Sequence, residues 1–173
     1  EVGIDKIANF AKSLKIYDNP EELLSISLGS AETTLLKLTS AYSSFVNGGK
    51  LIEPIFLDRI QDSEGITIFN SEKRICEKCK EISYLGTDVP KIKDNFIKIF
   101  SEETAYQVTS MLEGAIKRGT GRKLKDLNLD LAGKTGTTNE NTDAWFIGFT
   151  SNLVIGVYVG HDEPKTLGKY ETG

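Results

Sequence analysis

Three strand-like runs separated by short turns constrain the fold of this chain more than any other feature. They extend over residues 131–138, 144–150 and 153–160 and are rich in β-branched, aromatic and glycine residues. A parallel crossover needs about a dozen residues or more, and the segments between these runs are far shorter, so neighbouring runs must pair antiparallel. Helical patterns precede them, and the sequence therefore predicts an α+β fold in which an antiparallel sheet packs against helices.

Three segments upstream of the strand-like runs show helical periodicity. The first carries apolar residues at helical spacing from Ile4 to Leu14 and ends before Asp18-Asn19-Pro20. The second runs from about Thr33 to Phe45, and Asn47-Gly48-Gly49 provides a left-handed stop. The third begins at Ser101, which can cap a helix. Its predicted buried stripe comprises Ala105, Val108, Met111, Leu112, Ala115 and Ile116.

Between the second and third helices, residues 51–95 are predicted to form a surface extension. Leu51 to Gln61 is strand-like, residues 62–65 turn the chain, and Ile66 to Phe69 returns as the second strand of a hairpin. From Asn70 to about Asn95 the sequence is polar and has no dependable period. We therefore expect one domain over residues 1–173, with this segment on its surface rather than forming a separate domain.

Charge and histidine content exclude several functions. The chain has 21 Lys and Arg residues against 25 Asp and Glu, a net charge of -4, so it lacks the positive surplus that binds nucleic acid. Its one histidine, His161, cannot build a multi-histidine metal site, and we expect no metal. The longest uncharged run, 144–161, is interrupted by Thr150-Ser151-Asn152, which favours two strands over a membrane helix.

The two cysteines, Cys76 and Cys79, form a Cys-x-x-Cys pair within the surface extension. Such a pair can be a redox dithiol, half of a zinc site or a small disulfide loop. A structural zinc site needs four ligands, and no βαβ pattern precedes the pair as it does in a thioredoxin-like site. The sequence therefore favours a local disulfide or two free thiols.

The segment Ala132-Gly-Lys-Thr-Gly-Thr-Thr138 carries the residues best suited to chemistry. Gly-Lys-Thr also ends the phosphate-loop pattern, but Asn128 stands where that pattern needs its first glycine, and a strand follows instead of a helix. The alternative is a Lys-Thr-Gly edge strand, as in serine acyltransferases and β-lactamases. Taken alone, the three residues are better explained by an ordinary exposed turn.

An edge strand of this sequence could bind an extended, anionic peptide. The Lys134 ammonium can attract a carboxylate, and the Thr135 hydroxyl can hydrogen-bond to it. Gly136 has no side chain, so a peptide can lie against the strand backbone. The backbone N–H of Thr137 can donate to the oxyanion of a tetrahedral intermediate.

Several stretches in sequence order resemble class A penicillin-binding proteins. They are Gly29–Gly49, Glu103–Leu112, Gly119-Thr120-Gly121, Ala132–Thr138, Asp143–Phe149 and Val157–Asp162. The resemblance spans most of the chain apart from residues 70–95. It implies a truncated fold of the β-lactamase and transpeptidase type, in which residues 131–160 contain the Lys-Thr-Gly strand.

The resemblance also implies a function. The expected activity is that of a D,D-transpeptidase, which cross-links peptidoglycan stem peptides ending in D-Ala-D-Ala through an acyl-serine intermediate and binds β-lactams at the same serine. Lys134, Thr135 and Gly136 take the roles of the third motif; Thr137 supplies the backbone oxyanion donor and a hydroxyl for the terminal carboxylate. No cofactor is expected. The full-length relatives are extracytoplasmic, at the periplasmic face of the inner membrane, with an N-terminal anchor and a glycosyltransferase domain.

The chain departs from the family pattern at the nucleophile. It contains no Ser-x-x-Lys and no Ser-x-Asn; the nearest match, Thr34-Leu-Leu-Lys37, has no family counterpart. We therefore expect a partial transpeptidase domain that lacks the N-terminal part with the nucleophile and the C-terminal helix, and that is inactive alone. The alternative is a non-catalytic binding or scaffold module of the cell-wall synthesis machinery.

The same truncation predicts an unpaired sheet edge. In the family fold, two N-terminal strands extend the sheet beyond its last strand, so residues 153–160 are expected to be exposed at the edge. The apolar residues Val154, Ile155 and Val157 then lack cover. Open edges invite pairing between chains, and self-association is the expected consequence.

Overall fold

The computed structural model describes residues 2–72, 74–77, 91–168, 171 and 173, with the backbone alone for residues 75, 77, 91 and 139. The chain divides into two compact units, Glu1–Ile52 with Lys98–Gly173 and Glu53–Ile97. The first unit combines helices with an antiparallel sheet, which confirms the α+β prediction. No helix within the described part of the chain is both long enough and apolar enough to cross a membrane.

The three predicted helices are present as α1 (Ile4–Ser13), α2 (Leu35–Val46) and α3 (Glu102–Lys117). Both longer helices begin with a side-chain cap, since Thr34 accepts a hydrogen bond from Lys37 N and Ser101 accepts one from Thr104 N. Gly48 and Gly49 follow α2 with positive φ angles of 63° and 83°, the left-handed stop that the sequence predicts. Short 3₁₀ segments at Leu24–Leu28, Arg122–Leu127 and Asn139–Asn141 were not predicted.

The predicted buried stripe of α3 is wrong at one position. Ala105 and Ile116 are buried, but the Met111 side chain is 66% exposed. At 100° per residue, position 111 lies about 120° around the helix from position 105, whereas position 116 lies only about 20° away. Met111 therefore lies outside the arc that faces the sheet.

Nine strands occur in the described residues, most of them short. They are β1 (Lys50–Leu51), β2 (Arg59–Gln61), β3 (Thr67–Asn70), β4 (Ile75–Glu77), β5 (Lys91–Lys93), β6 (Ile97–Lys98), β7 (Ala132–Thr137), β8 (Asp143–Phe149) and β9 (Val154–Gly160). The main sheet has the order β7-β8-β9, and both pairs in it are antiparallel. β1 and β6 form a separate two-stranded sheet.

One face of the main sheet forms the core of the first unit. Ala132, Ile147 and Phe149 share that face and are 3–4% exposed, and α2 and α3 pack against the sheet. Gly156 lies on the same face beneath Thr39 of α2, where a Cβ atom would collide with the Thr39 hydroxyl. The glycine in β9 therefore allows α2 to approach closely.

The opposite face of the sheet is partly open. The Phe146 ring covers Gly133 and Gly148, but Ile155 and Val157 remain 48% and 45% exposed. β9 pairs only with β8 among the described residues, so its outer edge is open, as the sequence predicts. Val154 is half-buried instead of uncovered, because the alternation of the strand turns it toward the helical face.

The second unit consists of two antiparallel ribbons. β2 and β3 form the predicted hairpin, with Arg59 opposite Asn70, and the Asp62 carboxylate accepts a hydrogen bond from Ile66 N at 2.7 Å in the turn. The strand predicted from Leu51 to Gln61 is wrong over residues 52–58, which lie between β1 and β2 and belong to no strand. The pairing of β4 with β5 had no sequence signal. Cys76 lies in β4 and is disulfide-bonded, whereas Cys79 lies outside the described residues.

Candidate functional site

The open edge of β7 is set by the register of the main sheet. Thr138 N donates to Asp143 O at 3.2 Å, which turns the backbone groups of residue 138 toward β8. Because these groups alternate along an antiparallel strand, the N–H and C=O of Thr135 and Thr137 point away from β8. No other strand pairs with β7 in the part of the chain that the structure describes. These backbone groups are therefore placed to pair with an added extended chain.

Lys134 lies on the helical face of β7, directly opposite Ile147 of β8. Its side chain is exposed, and Nζ donates to the carbonyl oxygen of Thr135 at 2.8 Å. No ion pair ties the ammonium to a carboxylate among the described residues. A solvated cation on an open strand edge is available to an anionic ligand.

Thr135 is half-buried and faces the opposite side of the sheet from Lys134. Its Oγ1 lies 2.7 Å from Oγ1 of Thr120, in the loop that follows α3. The sequence marks Gly119-Thr120-Gly121 only as part of a resemblance, and nothing local predicts that Thr120 contacts the Lys-Thr-Gly strand. This contact is the main feature of the site that sequence reasoning missed.

Gly136 and Thr137 complete the edge. A Cβ atom at Gly136 would lie 3.3 Å from Cβ of Trp145, so this position is close-packed on one side. Oγ1 of Thr137 accepts a hydrogen bond from Gly173 N at 3.1 Å. The side-chain hydroxyl of Thr137 is thus already bonded, while its backbone N–H faces the open edge.

An aromatic pair supports this end of the sheet. Trp145 and Tyr158 have ring centroids 4.8 Å apart, and Tyr158 Oη donates to Asp143 Oδ1 at 2.9 Å. That hydrogen bond, together with partial burial, raises the pKa of the Tyr158 phenol above its ordinary value. The three side chains tie the ends of β8 and β9 together beside Gly136.

The nearest match to a Ser-x-x-Lys motif has a structural role. Thr34 Oγ1 accepts the N–H of Lys37 as the N-cap of α2, and Lys37 Nζ pairs with Asp18 Oδ2 at 2.8 Å. Neither group is available as a nucleophile or a base.

The geometry also bears on phosphate binding and on metal binding. The Gly-Lys-Thr residues are extended in β7, and only the three-residue 3₁₀ segment Asn139–Asn141 follows before β8, which argues against a phosphate loop. The described residues contain no cluster of three or more side chains able to hold a metal ion.

Comparison with known proteins identifies what this chain is similar to. Residues 3–173 match the family "Penicillin binding protein transpeptidase domain". Penicillin-binding protein 1A of Rickettsia typhi is 44% identical over 174 residues, an alignment that covers 99% of this chain and 22% of the relative. Penicillin-binding protein 1A of Pseudomonas aeruginosa is 34% identical over 99% of this chain and 25% of its own length.

Solved structures show the same similarity. The crystal structure of penicillin-binding protein 1A from Haemophilus influenzae superposes with a TM-score of 0.78 at 34% identity, covering 99% of this chain and 28% of that one. The PonA1 protein of Mycobacterium tuberculosis, solved in complex with penicillin V, gives a TM-score of 0.58 at 25% identity, over 85% of this chain and 35% of that one. The chain therefore spans about a quarter to a third of these structures.

Proposed function

Because the chain belongs to the family of penicillin-binding protein transpeptidase domains, we propose that it is part of a serine D,D-transpeptidase of peptidoglycan synthesis. Its donor substrate is a stem peptide ending in D-Ala-D-Ala, and β-lactams react at the same site. The serine oxygen forms an ester with the penultimate residue, the terminal D-Ala leaves as an amine, and an acceptor amine then releases the serine.

The open edge of β7 carries this proposal. Thr135 and Thr137 direct their backbone N–H and C=O groups outward, so an extended peptide can add to the sheet as a further strand once Lys134 Nζ turns from Thr135 O to the ligand. The Lys134 ammonium and the Thr135 hydroxyl bind the terminal carboxylate, and Gly136 leaves the backbone accessible. Charge-assisted hydrogen bonds of this kind are about twice as strong as neutral ones.

Thr137 serves the acyl-transfer step through its backbone. The outward N–H donates to the oxyanion that develops as the serine attacks, a contribution of about 10²–10³ in rate for a single donor in serine hydrolases. Its hydroxyl, which now accepts a hydrogen bond from Gly173 N, can turn to the substrate carboxylate. No cofactor takes part in this chemistry.

The nucleophile belongs to a part of the parent protein that precedes these residues. The 173 residues contain no Ser-x-x-Lys, and the chain spans only 22% of the Rickettsia relative, which leaves ample sequence for it. The chain alone is therefore inactive. The parent acts outside the cytoplasm, at the periplasmic face of the inner membrane, with an N-terminal membrane anchor and a glycosyltransferase domain.

A non-catalytic scaffold function, in which the parent keeps the binding edge of β7 but has no nucleophile, is the second candidate. Labelling with a fluorescent penicillin separates the two. The parent with its upstream sequence is expected to label, the 173-residue chain to remain unlabelled, and Lys134→Ala in the parent to label at least tenfold more slowly. Lys125→Ala, an exposed lysine in the 3₁₀ segment 122–127, serves as the matched control and keeps the parental rate. A folded parent that never labels would support the scaffold.

A further inference from the structure

Thr120 lies within hydrogen-bonding distance of the carboxylate-binding hydroxyl proposed above. Its Oγ1 is 2.7 Å from Oγ1 of Thr135, although the two residues are fifteen positions apart in the sequence. The distance is typical of a good O–H···O hydrogen bond. α3 packs against β7, so the loop at the end of this helix is brought to the strand by the core of the unit.

Both neighbours of Thr120 are glycines that pack tightly against the end of α3. The N–H groups of Gly119 and Gly121 both donate to Ala115 O at 3.1 Å. A Cβ atom at Gly119 would lie 2.9 Å from backbone atoms of Ala115, and one at Gly121 would lie 2.6 Å from Cδ1 of Ile116. The loop backbone is therefore held against the end of α3 on both sides of Thr120.

Proton counting determines the direction of the Thr120–Thr135 hydrogen bond when a ligand is present. A threonine hydroxyl has one proton to donate, and an ionised carboxylate only accepts. If Thr135 donates to a ligand carboxylate, its bond to Thr120 persists only when Thr120 is the donor. Thr135 then accepts one hydrogen bond while it donates another, an arrangement in which each bond strengthens the other.

We propose that Thr120 is a positioning residue that donates its hydroxyl proton to Thr135 Oγ1 and thereby directs the Thr135 proton toward the carboxylate of the donor peptide or β-lactam. The inference rests on the proposed function, because it assigns a ligand carboxylate to Thr135. Thr120 itself does not touch the reacting atoms. Its effect is confined to ligands that carry the carboxylate.

The test compares two ligands on the full-length parent protein. The second-order rate constant of acylation is measured with a penicillin and with the same penicillin as its methyl ester. Thr120→Val removes the donor at similar volume and should lower the rate for the carboxylate by about three- to tenfold, the effect of one neutral hydrogen bond. The rate for the ester should change less than twofold, and Thr120→Ser should restore most of the rate for the carboxylate.

A second threonine pair provides the matched control. Thr142 Oγ1 lies 2.8 Å from Thr138 Oγ1, so Thr142→Val breaks a similar hydroxyl pair that does not involve Thr135. It should not change the ratio of the two rates. In a double-mutant cycle, Thr120→Val should cost nothing further once Thr135 is alanine.

The outcomes separate the inference from the proposed function. A parent that fails to label with either penicillin overturns the proposed function. If the parent labels but Thr120→Val reacts like the parent, or loses the same factor with both ligands, the positioning role is refuted. Thermal unfolding of each variant shows whether a lower acylation rate is caused by misfolding. If Thr120→Val is misfolded, the rates of Thr120→Ser with the two ligands decide the result.

Discussion

Replacing Ile147 with alanine tests which face of the main sheet forms the core. Ile147 is 3% exposed at the centre of β8, and its Cδ1 atom lies against Gly156 of β9 beneath α2. The substitution removes Cγ1, Cγ2 and Cδ1, which at about 0.8 kcal/mol for each buried group costs about 2.4 kcal/mol. The cavity left behind raises the expected loss in the free energy of unfolding to about 3–4 kcal/mol.

Ile155→Ala is the matched control for this substitution. Ile155 lies in the neighbouring strand β9, on the opposite face of the sheet, and is 48% exposed. The substitution removes the same three carbons, but these carbons are already about half exposed, and no closed cavity forms. The expected loss is about 1 kcal/mol.

Urea unfolding followed by tryptophan fluorescence measures both losses. The chain has one tryptophan, Trp145, two residues from Ile147 in β8, so the signal reports on the sheet itself. The midpoint should fall with little change in slope. Equal losses for the two variants, or a larger loss for Ile155→Ala, would show that the helices do not cover the face assigned to them.

Three further results are expected. Gly133→Ala should destabilise by about 1–3 kcal/mol, because its Cβ would lie 2.8 Å from Ile147 O, whereas Gly136→Ala meets only a side chain at 3.3 Å and should cost less than about 1 kcal/mol in thermal unfolding. Ser44→Ala should be neutral or stabilising by about 1 kcal/mol, because Ser44 is fully buried and its Oγ has no hydrogen-bond partner among the described residues. A destabilisation of similar size in urea unfolding would show that Oγ does have a partner. The pKa of Tyr158 is raised mainly by its hydrogen bond to Asp143. The stability that this hydrogen bond contributes is present below the ordinary pKa of tyrosine and is lost as the pH rises through the pKa of Tyr158 in the folded protein. Phenolate absorbance should show Asp143→Asn lowering this pKa, and an unchanged titration would contradict the assignment.

The elements of this fold that the sequence predicts are those with a local cause. Ser101 and the glycines after α2 mark helix ends through side-chain and backbone chemistry that acts within a few residues. The antiparallel order of β7, β8 and β9 follows from the shortness of the turns between them. The exposure of Met111 depends on its angle around α3 rather than on its apolar character, so hydrophobicity alone does not predict it.

The features that the sequence does not predict depend on contacts between distant residues. The pairing of β4 with β5 joins two segments that have no periodic pattern. The contact between Thr120 and Thr135 exists because α3 packs against β7, and neither residue differs locally from an ordinary loop or strand threonine. Their chemistry singles out the Lys-Thr-Gly residues as a candidate site, but the outward direction of the Thr135 and Thr137 backbone groups depends on the register of the sheet.

Hydrogen exchange on the parent protein tests most directly whether the proposed ligand binds along β7. Amides of residues 132–138 are followed by mass spectrometry before and after reaction with penicillin. Slower exchange is expected at Thr135 and Thr137, the positions whose N–H groups face outward, while residues 154–160 at the opposite edge keep their rates. Protection confined to 154–160, or none at 132–138 in a fully acylated sample, would contradict the account.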